Sequence, residues 1–145
     1  MKTKKIVIVA ALVGIMLVLA TACVSKTAEK VKVGNEEVAT LYSVVGERAI
    51  TGSSTSTGTD GSKTELTYGG GAVSIDDVNG YISKLVNEDG FLITQQAQND
   101  GEGQTYQLGK QAGEAGKIIL IDFYFADGGD TVITYTLTSG EVSPV

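Results

Sequence analysis

Histidine and tryptophan are absent from this chain of 145 residues, and cysteine occurs once, as Cys23. Without histidine the chain lacks the commonest general base and the commonest metal ligand of proteins. A single cysteine allows no disulfide within the chain, so the fold must be held by packing alone. These absences exclude histidine-based catalysis and a disulfide framework, and we predict neither a metal ion nor a cofactor.

Basic residues are also scarce. The chain has 11 Lys and Arg against 17 Asp and Glu, which gives a formal net charge of −6. An acidic surface argues against nucleic acid as a partner, because phosphate neutralisation needs clustered Lys and Arg. The length is sufficient for one domain and too short for two.

The N-terminus has the order of a secretory signal. Lys2, Lys4 and Lys5 are followed by an unbroken apolar run over residues 6–20, and small residues then lead to Ala22 and Cys23. A positive region, an apolar region and small residues are the three parts of an export signal. The stretch up to Cys23 resembles the lipobox of bacterial lipoproteins, although Ala20 stands where leucine is more usual.

That resemblance implies a signal peptide over residues 1–22, a cut after Ala22 and acyl chains on Cys23. The protein would then be lipid-anchored at the extracytoplasmic face of the cell membrane, with a net charge lowered from −6 to −9 by loss of three lysines. An uncleaved signal anchor is the alternative. Residues 6–22 would rise about 25 Å as a helix, against a hydrocarbon core of about 30 Å. Both interpretations place the remainder outside, because the lysines stay in the cytoplasm.

A second resemblance covers the domain itself. The segment from Tyr42 to Arg48, a later helix with Tyr81 and Leu85, and then Gly90 with Phe91 are similar to small lipoproteins of Firmicutes. Those relatives imply no activity. The resemblance supports only the extracytoplasmic compartment.

The residues that follow the predicted cut are mostly polar, and we predict that they connect the lipid anchor to the domain. Residues 23–37 are predicted to be a lipidated tether, and residues 38–145 a single domain. Residues 38–50 are rich in β-branched and aromatic side chains, which predicts a strand. The Ser-, Thr- and Gly-rich residues 51–62 are predicted to form a flexible loop, or alternatively a linker between domains.

One amphipathic helix is predicted over residues 75–88. Ser74 is a typical N-cap, and Val78, Tyr81, Ile82 and Leu85 recur on one helical face. Gly90 is expected to end the helix in a left-handed conformation.

Four strands with a period of two follow the helix, and they predict an antiparallel meander. Core positions alternate in each strand: Phe91, Ile93 and Ala97; Tyr106 and Leu108; Ile119, Ile121, Phe123 and Phe125; Ile133, Tyr135 and Leu137. A three-residue loop over residues 127–129, with Gly129 left-handed, sets Phe123 opposite Ile133 and keeps each core residue opposite another. The opposite face, with Asp122, Thr134, Thr136 and Thr138, is expected to be wet. The predicted fold is therefore α+β: an antiparallel β-meander sheet with one amphipathic helix packed on one face.

Few residues could carry chemistry. Asp122, Asp127 and Asp130 could supply oxygen ligands to calcium, but their Asp-Gly composition favours an ordinary turn. The segment over residues 99–103 is interpreted as a loop for the same reason. Arg48, the only arginine, could grip a carboxylate ligand, and an ion pair at the surface or at a strand edge is the favoured alternative.

The expected function is therefore a non-catalytic binding or accessory module of the cell envelope, with the membrane as one partner and an envelope protein or glycan as another. The alternative is a small carboxylate-dependent envelope hydrolase, although the tryptophan that usually lines glycosidase clefts is missing. Two buried carboxylates within about 10 Å of each other in a cleft would favour the enzyme.

Overall fold

The computed structural model describes residues 18–20, as backbone only, and residues 24–142. The predicted cut site and Cys23 lie outside these residues. The elements are β1 (Val18–Ala20), β2 (Lys30–Val33), β3 (Glu36–Ala39), α1 (Tyr42–Val45), β4 (Ile50–Thr57), β5 (Ser62–Tyr68), α2 (Ile75–Asn87), β6 (Leu92–Asn99), β7 (Gln104–Gln111), β8 (Lys117–Phe125) and β9 (Thr131–Ser139).

The main element is an antiparallel sheet of seven strands in the order β1-β4-β5-β9-β8-β7-β6. The predicted meander is confirmed, because β6, β7, β8 and β9 pair in sequence order. The C-terminal strand β9 also pairs with β5, so it lies in the interior of the sheet. Helix α2 connects β5 to β6 at the opposite edge. The domain is thus mainly antiparallel sheet, accompanied by two helices and a separate two-stranded sheet of β2 and β3.

The predicted register of the last hairpin is confirmed. Phe123 is opposite Ile133, Ile121 is opposite Tyr135 and Ile119 is opposite Leu137. The loop prediction was wrong in one detail, because the left-handed glycine is Gly128, with φ +71°, and not Gly129. The amide of Gly129 donates to the carbonyl of Ala126 at 3.0 Å, so Gly128 occupies the third position of a β-turn, where type II turns require positive φ.

One face of the sheet forms the core. Phe123, Ile133 and Tyr135 are almost completely buried there, together with Val78, Tyr81 and Leu85 of α2. The rings of Tyr81 and Phe123 meet edge to face with centroids 5.7 Å apart. The sequence predicted one helix on this face, but the same core also contains Val31, Val33, Val38 and Leu41 from the β2–β3 hairpin and the start of α1.

Helix α2 begins and ends where the sequence predicts within one residue. The Ser74 hydroxyl accepts from the amide of Asp77 at 3.1 Å, and the Asp77 carboxylate accepts from the amide of Ser74 at 3.1 Å. This reciprocal capping box satisfies two amides at the helix start. Gly90 has φ +78°, as expected for the glycine that ends the helix.

The polar segment predicted as a tether instead contains β2 and the start of β3. Val31 and Val33 are 3% and 0% exposed, and they alternate with exposed lysines. The apolar alternation of β2 covers only four residues and is flanked by lysines and glutamates, so it did not predict a strand. The packed part of the chain therefore begins well before residue 38.

The prediction of a loop over residues 51–62 was wrong, because residues up to Thr57 belong to β4 and pair in register with β5. The strand predicted over residues 38–50 was wrong in its second half, where Tyr42–Val45 forms a helical turn. The Ser43 hydroxyl donates to the carbonyl of Thr40 at 2.6 Å at the start of this turn. Local hydrogen bonding of this kind competes with strand formation.

Candidate functional site

The sheet face opposite the core carries a line of polar side chains that crosses five strands. Strand register places Ser54 opposite Glu65, Glu65 opposite Thr134, Thr134 opposite Asp122, and Asp122 opposite Gln107. Directly opposed residues point to the same face of an antiparallel sheet. We call these five residues the polar row: Ser54, Glu65, Thr134, Asp122 and Gln107.

Asp122 and Gln107 form a hydrogen-bonded pair in this row. The amide nitrogen of Gln107 donates to Asp122 Oδ1 at 2.8 Å, and the Thr94 hydroxyl donates to Gln107 Oε1 at 3.0 Å. Desolvation by burial raises the pKa of the Asp122 carboxyl, while the Gln107 hydrogen bond and the charge of Lys63 oppose that rise. The neighbouring side chains therefore hold this carboxyl in place while its charged form is partly desolvated.

Glu65 forms the other acidic position of the row. Its Oε2 accepts from the Thr134 hydroxyl at 3.4 Å and lies 3.9 Å from the Lys63 ammonium. The Glu65 side chain is 38% exposed, so water screens this ion pair. The two carboxylates thus share one row but differ in burial.

A shallow cavity of about 340 Å³ opens beside Asp122. Its lining combines the hydrogen-bonding groups of Asp122 and Thr134 with the apolar surfaces of Tyr124 and Val132, and the other lining residues are Gln95, Thr105, Tyr106 and Phe123. Polar groups set in a partly apolar hollow are the usual composition of a small-molecule site. This cavity and the polar row form the candidate site.

The expectation that this face is wet holds only in part. Thr134, Thr136 and Thr138 are half-buried, as Asp122 is. Ile118 and Leu120 belong to the same face, yet they are 0% and 7% exposed. Near them, a Cβ built on Gly109 would lie 2.9 Å from Thr94 and 3.5 Å from Val142, so side chains from β6 and the C-terminal segment cover this end.

The structure does not bring the three predicted aspartates together as ligands. Asp127 and Asp130 lie exposed around the loop after β8, whereas Asp122 is within the strand. Across residues 24–142, no three acidic side chains come close enough to hold a metal ion. The loop at residues 99–103 is confirmed as a turn, because Asp100 Oδ1 accepts from the amides of Glu102 and Gly103 at 2.9 Å. These bonds lower the pKa of Asp100.

Arg48 forms an ion pair, as the favoured interpretation predicts, but its partner Asp77 is at the start of α2 and both side chains are partly buried. Its Nε and second terminal nitrogen donate to the two oxygens of Asp77 at 3.0 and 3.2 Å. A further nitrogen donates to the carbonyl of Val45 at 2.9 Å. The Arg48 side-chain hydrogen bond is the largest cause lowering the pKa of Asp77. The pair therefore connects the segment after α1 to the start of α2.

The sequence singled out Asp122 but missed the residues that surround it. Gln107, Glu65 and Thr94 come from three other strands, and only the register of the sheet makes them neighbours. Comparison of the chain with protein-family models, curated proteins and solved structures found no match. Within the part of the chain that the structure describes, no helix is both long and apolar enough to cross a membrane.

Proposed function

We propose that this protein is a lipid-anchored extracytoplasmic module of the cell envelope that binds a glycan chain along the polar row. The export signal and the lipobox before Cys23 support the compartment and the anchor. The observation that carries the binding function is the continuous row of carboxylate, amide and hydroxyl groups beside the cavity at Asp122.

The chemistry of the row suits a sugar polymer. Sugar hydroxyls donate and accept hydrogen bonds, and Asp122, Gln107 and Thr134 offer acceptors and donors at successive strands. Tyr124 and Val132 provide apolar surface at the same cavity, against which a sugar ring can pack. A row crossing five strands extends about 19 Å between its first and last backbone positions, which is long enough for several sugar units.

Charge selects among envelope glycans. The row contains two carboxylates, and the chain carries a net charge of −6. Anionic polymers would be repelled from this face. The proposed ligand is therefore an uncharged glycan or one that bears free amino groups.

Co-sedimentation with insoluble envelope polysaccharide tests the binding function. Asp122→Asn removes the charge of the central acceptor and should weaken binding about tenfold, as loss of a charge-assisted hydrogen bond does. Asp127→Asn is the matched control, because Asp127 lies on an exposed turn outside the row. Equal binding by the two variants and the unaltered protein would contradict the proposal.

Fractionation of cells tests the anchor. Cys23→Ala should leave the protein uncleaved or release it from the membrane fraction, since two acyl chains contribute about 0.8 kcal/mol for each buried CH₂ group. A variant that is processed and retained like the unaltered protein would contradict lipidation at Cys23.

A hydrolase remains the second candidate, and the raised pKa of Asp122 favours it. A protonated carboxyl is what a general acid requires. Glu65 lies in the same row two strands away, about 9.5 Å between backbones, a spacing comparable to that of the carboxyl pair of inverting glycosidases. Asp122 is only half-buried and the Glu65 side chain is 38% exposed, so the criterion of two buried carboxylates is not met.

Release of reducing ends from the bound glycan separates the two candidates. A hydrolase should produce them, and both Asp122→Asn and Glu65→Gln should abolish their release. A binding module should release none while retaining affinity.

A further inference from the structure

We infer that the mature domain rests directly on the phospholipid headgroups beside its lipid anchor, through the N-terminal half of β4, and does not hang from a tether. In the full chain β1 pairs with residues 55–57 of β4, and the proposed cut after Ala22 removes β1. The contact surface, called here the anchor patch, consists of residues 24–26 and 51–53. This inference rests on the proposed lipidation of Cys23.

The chain immediately after Cys23 is bound to the domain. The amide of Val24 donates to the Ser53 hydroxyl at 3.2 Å, and the Val24 side chain packs against the core. The Lys26 ammonium lies 3.1 Å from the Glu47 carboxylate.

Residues 25–29 are also hydrogen-bonded, both to one another and to the folded domain. The amide of Ala28 donates to the carbonyl of Ser25 at 2.9 Å, which closes a turn. The Thr40 hydroxyl donates to the carbonyl of Ala28, and the Thr40 amide donates to the carbonyl of Glu29 at 2.9 Å. From Val24 to the start of β2, each stretch of chain therefore contacts the folded domain.

Chain length then fixes the distance to the bilayer. One residue spans at most about 3.6 Å, so an acylated Cys23 is that close to the bound Val24. The tether expected from the sequence, 15 residues long, could have reached about 50 Å. Because the acyl chains must enter the hydrocarbon layer, the anchor patch is drawn against the headgroups.

The composition of the patch suits that position. It contains no acidic residue, and β4 has no charged side chain. Lys26 is 62% exposed, and its ammonium offsets the negative charge of its partner Glu47. A shallow cavity of about 400 Å³ lies between residues 24–26 and 50–53, with Val24 and Ile50 as its apolar lining. The mature protein carries a net charge of −9, yet this surface can approach a bilayer without repelling it.

The chain contains no tryptophan, so one introduced tryptophan reports its own distance from the lipid. Thr51→Trp places the probe on the exposed surface of the patch, and Leu92→Trp places it on exposed β6, five strand spacings or about 24 Å away. The lipidated mature protein, residues 23–145, is reconstituted in vesicles of phosphatidylcholine with brominated acyl chains. Fluorescence at position 51 should fall about twofold relative to unbrominated vesicles, because interfacial groups sit within about 10 Å of the acyl boundary, and fluorescence at position 92 should not change.

Lys26→Trp repeats the measurement at a second position of the patch, in case Thr51→Trp disturbs the fold. A flexible Gly/Ser insert of about 15 residues after Cys23 should abolish quenching at both positions without releasing the protein from the vesicles. Sedimentation with the vesicles but equal fluorescence at positions 51, 26 and 92 would overturn the patch and leave the anchor intact. Failure to sediment would overturn the lipid anchor, and the patch with it.

Discussion

Phe123 and Asp122 are neighbours on β8, yet they belong to faces of the sheet with different organisation. Phe123 is 1% exposed and packs against Tyr81 of α2. Asp122 is half-buried, and its carboxylate accepts a hydrogen bond from the Gln107 side chain of the adjacent strand β7. The first face is defined by apolar packing from helices and a hairpin, whereas the second is defined by polar groups that remain accessible.

We therefore expect the packed face to determine stability and the polar face to determine binding. Substitutions on the packed face should change the free energy of unfolding, because close-packed interiors relax only partly around a lost side chain. Substitutions on the polar row should change ligand affinity more than stability, because the acidic and hydroxyl side chains of the row are at most half-buried and a typical hydrogen bond contributes only about 1 kcal/mol to folding. Denaturation of the soluble domain, begun after Cys23, measures the first effect.

The largest effect is expected for Phe123→Ala, which should lower the free energy of unfolding by about 3–5 kcal/mol. Thr136→Ala, on the open face of the neighbouring strand, should lower it by less than about 1 kcal/mol. Chemical denaturation of both variants makes the comparison. Equal losses would mean that both faces are packed and that the domain behaves as a sandwich.

Alkaline pH should destabilise the packed face through its buried tyrosines. Burial raises the pKa of Tyr68 from 10.0 to about 12, and it also raises the pKa values of Tyr81 and Tyr135. The unfolded chain releases these protons near pH 10 while the folded chain retains them, so the stabilisation is complete below pH 10 and is lost as pH rises toward 12 and beyond. Tyr68 alone corresponds to about 2 kcal/mol over that interval.

Denaturant midpoints measured from pH 9 to pH 12 test this dependence. Tyr68→Phe should make the decline shallower, because it removes one of the three titrating groups. An unchanged slope in that variant would show that Tyr68 ionises without regard to folding.

The hydroxyls of Tyr81 and Tyr135 allow a finer test of the packed face. They are 2.8 Å apart, and the Tyr81 hydroxyl also donates to the carbonyl of Ala39. Tyr81→Phe leaves both partners unsatisfied and should cost about 1–3 kcal/mol, whereas Tyr135→Phe leaves the bond to Ala39 intact and should cost about 1 kcal/mol. Thermal denaturation shows which of the two variants loses more stability. A larger loss in Tyr135→Phe would mean that Tyr135 makes the more important hydrogen bond.

The smallest expected change in stability concerns Gly80, on the side of α2 that faces α1. A Cβ added at Gly80 would lie 3.8 Å from Val44, an ordinary contact, so Gly80→Ala should stabilise the domain by about 0.5–1 kcal/mol. Gly90→Ala is its matched control and should destabilise, because Gly90 has φ +78°. A loss of stability in Gly80→Ala would indicate that α1 and α2 pack more closely than this distance implies.

The sequence predicted best where one periodicity ran long enough to exclude the alternatives. Strands β8 and β9 are nine residues long each, and one register alone sets every predicted core residue opposite another. The start of β6 shows the limit. Phe91 is buried as predicted, but Ile93 is 49% exposed, because register shifts around Gln95 re-aim the side chains of this edge strand.

Strand β4 and the polar row could not be predicted because both depend on pairing between strands that are distant in the sequence. Residues 51–57 contain no apolar side chain, and the strand forms because β5 provides a complete hydrogen-bonding partner. Asp122 was visible as a carboxylate on the less apolar side of β8. Its partners Gln107 and Glu65 lie 15 and 57 positions away in the chain, so their proximity depends on the topology of the whole sheet.

Because β9 lies in the interior of the sheet, the C-terminal strand is needed before the sheet can form. Ser62 of β5 pairs with Leu137, a separation of 75 residues, so the centre of the sheet closes only after nearly all of the chain is available. Pairing over such distances is slow, because the entropy of loop closure must be overcome before the contacts form. A chain that crosses a membrane from its N-terminus would expose the β4–β5 hairpin first, and the polar composition of β4 would limit aggregation in that interval. Truncation before Thr131 should therefore prevent folding altogether, since it removes the strand that joins the two halves of the sheet.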